Sequence, residues 1–123
     1  MNFSFIKIDH IQLAAPAGSE NQARHFFSTI LGLTEIDKPT ALKKRGGAWF
    51  QLGAQQQLHI GIEEPFSPAK KAHPAFTVTN LSSLKDHLHN HQIPYKEDTL
   101  IPAVDRIYID DPFGNRIEII GEQ

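Results

Sequence analysis

The chain has 123 residues, 40% hydrophobic and 21% charged, with a net charge of −2 when histidines are neutral and no cysteine. This length predicts a single domain that can bury a substantial core. The charge balance, without a basic stripe, argues against nucleic-acid binding, and no apolar run approaches the ~20 residues of a membrane span. The N-terminus lacks a signal-peptide pattern. Without cysteine there can be no disulfide, so we expect a cytoplasmic protein.

The first half of the chain predicts five elements in the order strand, helix, strand, strand, strand. Its opening segment alternates apolar and polar residues as a strand does, and Ser19 with Gln22 forms a possible capping box at the start of the helix. The predicted ranges are 5–15 for the first strand, 19–32 for the helix, and 34–37, 48–52 and 57–63 for the other strands. The basic segment 38–47 is predicted to be a loop.

The second half repeats this order after a proline-containing linker. The predicted ranges are 73–78 for the first strand, 81–92 for the helix, and 93–97, 106–110 and 115–120 for the other strands. Asn80 can cap the helix. The last two strands are joined by Asp-Pro-Phe-Gly, which is a strong turn signal.

The two halves can be laid over each other as an internal repeat. The closing hairpins align without a gap and the opening strands also superimpose, so that His10 falls on His73, His59 on Glu118 and Trp49 on Tyr108. The repeat predicts an α+β fold of two βαβββ modules. These modules cover about residues 5–64 and 72–121 of a single domain, residues 1–123.

Four side chains at repeat-equivalent positions form the candidate metal site: His10, His59, His73 and Glu118. Taken singly, a histidine on a strand is usually a structural residue satisfied by hydrogen bonds. All four, however, lie on the polar face of their strands, because their apolar neighbours point the other way. Three imidazoles and a carboxylate suit a borderline divalent cation, and a buried carboxylate without a cation would be costly. We therefore expect these groups to bind one divalent metal ion.

The stretches "IDHIQLA", "AHPAFTV" and above all "DPFGNRIEII" resemble the vicinal oxygen chelate superfamily. That superfamily includes glyoxalase I, fosfomycin-resistance proteins, extradiol dioxygenases and bleomycin-resistance proteins. The resemblance implies a curved mixed sheet around a metal cavity, with His10, His73 and Glu118 as the shared ligands. It also implies a small-molecule substrate and a homodimer. His59 stands where glyoxalase I usually has a glutamate as fourth ligand, and the metal (Zn, Ni, Mn or Fe(II)) stays open.

Three functions are open on this resemblance. In a glyoxalase-like lyase or isomerase, the metal holds two adjacent substrate oxygens while Glu118 moves a proton. In an extradiol-type ring-cleaving dioxygenase, two histidines and Glu118 would hold Fe(II), with His59 as an acid-base and Tyr108 nearby. A ligand-sequestering protein of the bleomycin-resistance type would need no catalytic metal. The predicted catalytic residues are therefore Glu118, His59 and Tyr108.

Three other features have simpler interpretations. The histidines of "HLHNHQ" are predicted to be solvated near a helix end, where they also favour the helix dipole. The basic segment is either a plain surface loop or a flap that closes over an anionic substrate, with Arg45 as the contact and Gly46 and Gly47 as the hinge. Arg116 shares a strand face with Glu118, so it is a candidate contact for an anionic group.

Overall fold

The structure, a computed structural model, describes all residues 1–123. The chain forms two compact units, Met1–Glu64 and Pro65–Gln123, and each contains one four-stranded sheet with parallel and antiparallel neighbours. The predicted α+β fold of two βαβββ modules is confirmed. None of its helices combines the length and apolar character that a membrane crossing requires.

The first unit is built on four strands: β1 His10–Ala15, β2 Thr34–Ile36, β3 Ala48–Leu52 and β4 Gln56–Ile62. Their order in the sheet is β1-β4-β3-β2, with β1 parallel to β4 and the other neighbours antiparallel. A short α-helix, α1 (Glu20–Ala23), continues into a π-helical segment, Arg24–Ile30, between β1 and β2. A 3₁₀ helix, Thr40–Arg45, precedes β3.

The second unit repeats the plan with β5 Ala75–Val78, α2 Leu81–Asn90, β6 Lys96–Glu97, β7 Arg106–Asp110 and β8 Arg116–Gly121. The strand order is β5-β8-β7-β6, and β5 runs parallel to β8. Asn80 caps α2 as predicted, because its side-chain oxygen accepts a hydrogen bond from Ser83 N at 3.1 Å. The last strand of each unit is therefore central in its sheet, between the first strand and the third.

Strand pairing reproduces the predicted overlay of the two halves. In each unit the candidate ligand on the last strand lies opposite the residue two positions after the first-strand histidine. On its other side it lies opposite an aromatic residue of the hairpin. The pairs are Gln12 with His59 and Ala75 with Glu118 on the first side, and Trp49 with His59 and Tyr108 with Glu118 on the second.

Each sheet buries one face in an apolar core, as the alternation of side chains along a strand requires. The central strands contribute Leu58 and Ile60 in the first unit and Ile117 and Ile119 in the second, all at most 3% exposed. Four residues of the predicted helical stripe, Ala23, Phe26, Phe27 and Ile30, are buried, and the fifth, Leu31, is half-buried. The opposite face of each sheet carries the candidate ligands.

The first strand is shorter than the sequence predicts, since it begins at His10 and not at residue 5. The ladder with β4 starts at the His10–Gln57 pair, and β4 itself begins at Gln56, so the preceding residues have no neighbouring strand. Without a neighbouring strand, their backbone N–H and C=O groups have no inter-strand hydrogen bonds to stabilise an extended conformation. Residues 1–9 accordingly have no regular structure, and Phe5 is 95% exposed.

Two proline residues account for the shortened strands of the second unit. β5 begins at Ala75 because Pro74 has no backbone N–H to donate to the ladder. Its carbonyl still accepts a hydrogen bond from Glu118 N at 3.0 Å. β6 is reduced to Lys96–Glu97 after Pro94, whereas the sequence predicts a strand over 93–97.

The two helical stretches of the first unit also differ from the prediction. The expected regular helix widens into π winding, in which Leu31 N donates to Phe26 O, five residues earlier, at 2.9 Å. The basic segment is a 3₁₀ helix and not a loop. Pro39 starts it, because its carbonyl accepts from Leu42 N at 2.8 Å.

Candidate functional site

The second unit brings together two of the predicted metal ligands, His73 and Glu118. Glu118 lies within β8 and is 8% exposed. Its backbone N–H is bonded to Pro74 O, which holds the neighbouring His73 beside it. Nε2 of His73 lies 3.0 Å from Oε1 of Glu118. An imidazole and a buried carboxylate therefore meet on the polar face of the sheet.

The second ring nitrogen of His73 is held by the backbone. Nδ1 lies 2.9 Å from the carbonyl oxygen of Lys71, which can only accept a hydrogen bond, so Nδ1 is the donor. Metal-binding histidines commonly donate their other ring N–H in this way. Two metal bonds of ~2.0–2.2 Å at a right angle hold their donor atoms roughly 3 Å apart. The separation of 3.0 Å between His73 and Glu118 therefore fits two adjacent ligands of one divalent cation.

Arg106 is a site residue that the sequence patterns did not single out. Its Nη1 donates to Glu118 Oε2 at 3.3 Å, and its Nη2 lies 3.1 Å from Asp98 Oδ1. The guanidinium side chain is only 11% exposed. The available signal was the two-residue period of β7, which puts Arg106 on the same face as Tyr108.

The electrostatics of this cluster keep Glu118 ionised. Burial raises the pKa of Glu118, but the hydrogen bonds and charges of His73 and Arg106 outweigh it, so the pKa lies below its ordinary value. The Glu118 carboxylate is therefore an anion at neutral pH.

Tyr108 lies opposite Glu118 and borders two cavities of the second unit. Its hydroxyl accepts a hydrogen bond from Arg106 Nη1 at 3.1 Å, and its ring meets the His73 ring edge-on, with centroids 5.6 Å apart. The cavities have volumes of about 370 and 310 Å³, and both are lined by Lys96, Tyr108 and Arg116. Arg116 lies 5.2 Å from the Tyr108 ring centroid. Space for a small polar molecule therefore adjoins Tyr108.

The turn "DPFGN" before β8 is a closed network that positions the strand. Asp111, 4% exposed, accepts hydrogen bonds on Oδ1 from Phe113 N and Asn115 N, each at 2.9 Å, and on Oδ2 from Asn115 Nδ2 at 2.8 Å. Burial raises the pKa of Asp111 in spite of these bonds. Asn115 Oδ1 in turn accepts from Ala69 N at 2.9 Å. This turn anchors the start of the strand that carries Glu118.

The first unit brings together the other two predicted ligands, His10 and His59, in a stack of three rings. The His59 ring lies 3.8 Å from the Trp49 ring at an angle of 5°, and 4.1 Å from the His10 ring at 17°, measured between centroids. His59 is 5% exposed. Burial lowers the pKa of His59, and the nearby His10 lowers it further.

The ring nitrogens of the two histidines have different partners. Nδ1 of His10 donates to Asp9 Oδ1 at 2.9 Å, so His10 resembles His73 in having Nδ1 held by an acceptor. Nε2 of His59 is bonded to Gln57 Oε1 at 2.8 Å. A metal lies in the plane of the imidazole that binds it, so two near-parallel stacked rings cannot both reach one ion at ~2.0–2.1 Å. His59 or His10 must turn out of the stack before both can bind the same cation.

Each unit thus contains two of the four predicted ligands. Neither unit alone gathers three or more His, Cys, Asp or Glu side chains at one point. The donor set of imidazole nitrogens and one carboxylate is nevertheless that of a borderline divalent cation, and the His73–Glu118 spacing accommodates such an ion.

Hydrogen bonds anchor the basic segment, residues 38–47, which argues against its acting as a flap. Gly47 N donates to Glu20 Oε2 at 2.8 Å, and Lys38 Nζ donates to Gly46 O. Gly47 has φ +84°, and a Cβ there would meet Ile60 O at 2.0 Å. The glycine is therefore needed for close backbone packing.

The histidines of α2 form no metal-binding group. The rings of His87 and His91 lie 4.3 Å apart, and Nδ1 of His91 is bonded to His87 O at 2.9 Å. His89 and His91 are exposed, as predicted for a solvated helix end, whereas His87 is half-buried.

Comparison with known proteins identifies the family. The chain is 47% identical over the full length of both chains to a protein of known structure from Bacillus anthracis described as a member of the glyoxalase family, with a TM-score of 0.96. The lactoylglutathione lyase of Agrobacterium tumefaciens is 19% identical, with a TM-score of 0.73 over 94% of this chain and 92% of its own. A glyoxalase/dioxygenase from Nostoc punctiforme is 22% identical, with a TM-score of 0.78 over 100% of this chain and 99% of its own.

The two more distant structures share the fold. No protein-family model matches the sequence, and no curated protein matches it. The full-length identity to the Bacillus anthracis protein nevertheless decides the assignment. This chain belongs to the glyoxalase family of the vicinal oxygen chelate superfamily.

Proposed function

We propose that this protein is a divalent-metal-dependent enzyme that acts on a small substrate through two adjacent oxygens, in a lyase- or isomerase-type reaction. The observation that carries the proposal is the His73–Glu118 pair. Its nitrogen and oxygen are 3.0 Å apart, and the other ring nitrogen is tied to a carbonyl. Family membership agrees with this interpretation.

The proposed ligands are His10, His73 and Glu118, with His59 as a fourth donor once its ring leaves the stack. Their joint action on one ion is inferred from the sequence repeat and from the family resemblance. His10 and His73 each have Nδ1 held by an acceptor, which leaves Nε2 as the metal-binding nitrogen in both. When bound, the cation would act as a Lewis acid that stabilises negative charge on the chelated substrate oxygens.

The protein's own residues would handle binding and proton movement. Glu118, whose pKa is lowered, can accept a proton on a carboxylate oxygen. Tyr108 pairs with Glu118 across the sheet and lines both cavities, so it can orient a substrate bound there. Lys96 and Arg116 take part in none of the ion pairs, so both are available to a polar or anionic part of the substrate.

A second candidate function is extradiol-type ring cleavage. The contacts of His59 favour it, because they hold this side chain away from a metal-binding orientation. Its Nε2 is hydrogen-bonded to Gln57, and its ring is stacked between two other rings. If that arrangement persists with metal bound, two histidines and one carboxylate hold the ion, as suits Fe(II) oxygenases. His59 would then serve as an acid-base. A purely ligand-sequestering protein is the third possibility, and the proposed ligand set argues against it.

The test is a metal titration followed by a substrate screen. Purified protein stripped with EDTA is titrated with Zn²⁺, Ni²⁺, Mn²⁺ and, without oxygen, Fe²⁺, and each loaded form is assayed with hemithioacetals and with catechols. Turnover of hemithioacetals supports the primary proposal. Ring cleavage only with Fe²⁺ supports the second, and absence of metal binding would refute both. Homodimerisation and a cytoplasmic location are further parts of the proposal, and sedimentation of the purified protein tests the first.

A further inference from the structure

Arg106 is the most enclosed cation of the second unit and contacts two carboxylates at once. Its side chain is 11% exposed and lies 3.3 Å from Glu118 Oε2 and 3.1 Å from Asp98 Oδ1. Its Nε is buried and has no hydrogen-bond partner. The guanidinium is thus shared between two carboxylates and the Tyr108 hydroxyl, and its Nε donor is unsatisfied.

The two carboxylates differ in what else they hold. Glu118 also binds His73, through Oε1. Asp98, whose side chain is 20% exposed, accepts a second hydrogen bond from Leu100 N at 3.0 Å. Asp98 can therefore keep the guanidinium when Glu118 acquires another cation.

We propose that Arg106 is a built-in counter-cation of Glu118 that competes with the divalent metal for this carboxylate, while Asp98 retains the guanidinium when metal binds. The inference rests on the proposed metal function. Arg106 is thus a positioning residue that lowers the affinity for metal, and it keeps the buried carboxylate paired in the metal-free protein.

Two opposing effects determine whether Arg106 weakens or strengthens metal binding. A divalent ion bound to Glu118 would lie only a few ångströms from the guanidinium, and like charges at roughly 5 Å repel strongly even at an effective dielectric constant of ~20. Loss of an orienting hydrogen bond would act in the opposite direction, at a cost of roughly 10–100-fold in affinity. For a doubly charged ion the repulsion is the larger effect. Removal of the arginine charge should therefore strengthen metal binding.

The experiment compares Zn²⁺ affinity among variants by competition with a chromogenic chelator. We expect Arg106→Gln to bind Zn²⁺ at least about tenfold more tightly than wild type, and Arg106→Lys to restore most of the wild-type affinity. Asp98→Asn leaves the guanidinium with Glu118 alone and should bind Zn²⁺ more weakly. The matched controls are Lys85→Gln and Glu97→Gln, which make the same charge changes in the neighbouring ion pair of this unit.

The outcomes separate this inference from the proposed function. If the wild-type protein binds Zn²⁺ and Arg106→Gln binds it no more tightly than wild type, only the role of Arg106 is overturned. If Arg106→Gln does not fold, wild-type Zn²⁺ affinity in Asp98→Asn would overturn it as well. Absence of Zn²⁺ binding by wild type and Arg106→Gln alike would refute the metal function and the inference together.

Discussion

His73, two residues before β5, and Glu118, on the neighbouring strand β8, form a pair in which Nε2 and Oε1 are held 3.0 Å apart. The pair is supported from both sides, because the Lys71 carbonyl holds the imidazole and Arg106 holds the carboxylate. The hold on the imidazole limits the reorganisation that metal binding would require, whereas Arg106 must give up Glu118 when metal binds. His73 and Glu118 therefore have the central role in the proposed cation binding.

The first prediction concerns the only anionic group among the proposed ligands. Glu118→Gln should weaken Zn²⁺ binding by more than the roughly 10–100-fold that loss of an outer hydrogen-bond partner costs. The reason is that both a metal bond and a negative charge disappear. Isothermal titration of the EDTA-treated protein measures the change. Glu122→Gln, at an exposed position just after β8, is the control with the same chemical substitution. Wild-type affinity in Glu118→Gln would place the metal elsewhere.

The second prediction separates stacking from metal binding at His59. His59→Phe keeps a flat ring between Trp49 and His10 but removes both ring nitrogens. If His59 is a fourth ligand, this variant should lose more than tenfold in Zn²⁺ affinity, which corresponds to ~1.4 kcal/mol. His59→Ala should lose both affinity and folding stability, because the buried ring leaves a cavity. Full Zn²⁺ affinity in His59→Phe together with lost activity would favour the acid-base role of a ring-cleaving enzyme.

The third prediction is a pH dependence of stability in the metal-free protein. The pKa of His59 is lowered mainly by burial, so the unfolded chain binds the proton more readily than the folded one. The contribution of neutral His59 to the free energy of unfolding is complete above ~6.5, the pKa of histidine in the unfolded chain. It is lost as the pH falls through the lower pKa that His59 has in the folded protein. Urea unfolding of wild type and His59→Phe between pH 8 and pH 5 tests this. Wild type should lose more unfolding free energy toward pH 5, and parallel curves would contradict the assignment.

The fourth prediction concerns the turn that precedes β8. Asp111→Ala should lower the free energy of unfolding by about 1–3 kcal/mol for each buried N–H left without an acceptor. Two backbone donors, Phe113 N and Asn115 N, lose their partner. Asp110→Ala, at the exposed neighbouring position, should change stability little. If the two variants were equally stable, the turn would not be an anchor for Glu118.

Much of the fold follows from residue spacing alone. The two-residue period of the strands and the gap-free overlay of the hairpins predict that His59 and Glu118 hold equivalent positions, and the strand registers agree. The strand predictions were wrong where a neighbouring strand or a backbone N–H donor was missing. An alternating segment before His10 has no strand to pair with, and Pro74 cannot donate to a ladder.

The detailed site was less predictable, since strand parity gives the face of a side chain but not its rotamer. The stack of Trp49 on His59 and the bond from His59 to Gln57 depend on side-chain torsions that alternation does not encode. Arg106 was missed because the two carboxylates it contacts lie 8 and 12 residues away in the sequence. Only the strand pairing brings those charges together.

The most direct test of the metal-binding claim is a crystal structure of the protein grown with Zn²⁺. The account predicts one ion bound by Glu118 and by Nε2 of His73 and His10, at ~2.0–2.2 Å, with the His73–Glu118 hydrogen bond replaced by metal bonds. A structure in which excess Zn²⁺ leaves that hydrogen bond intact, or lies only on the helix histidines His87 and His91, would contradict it.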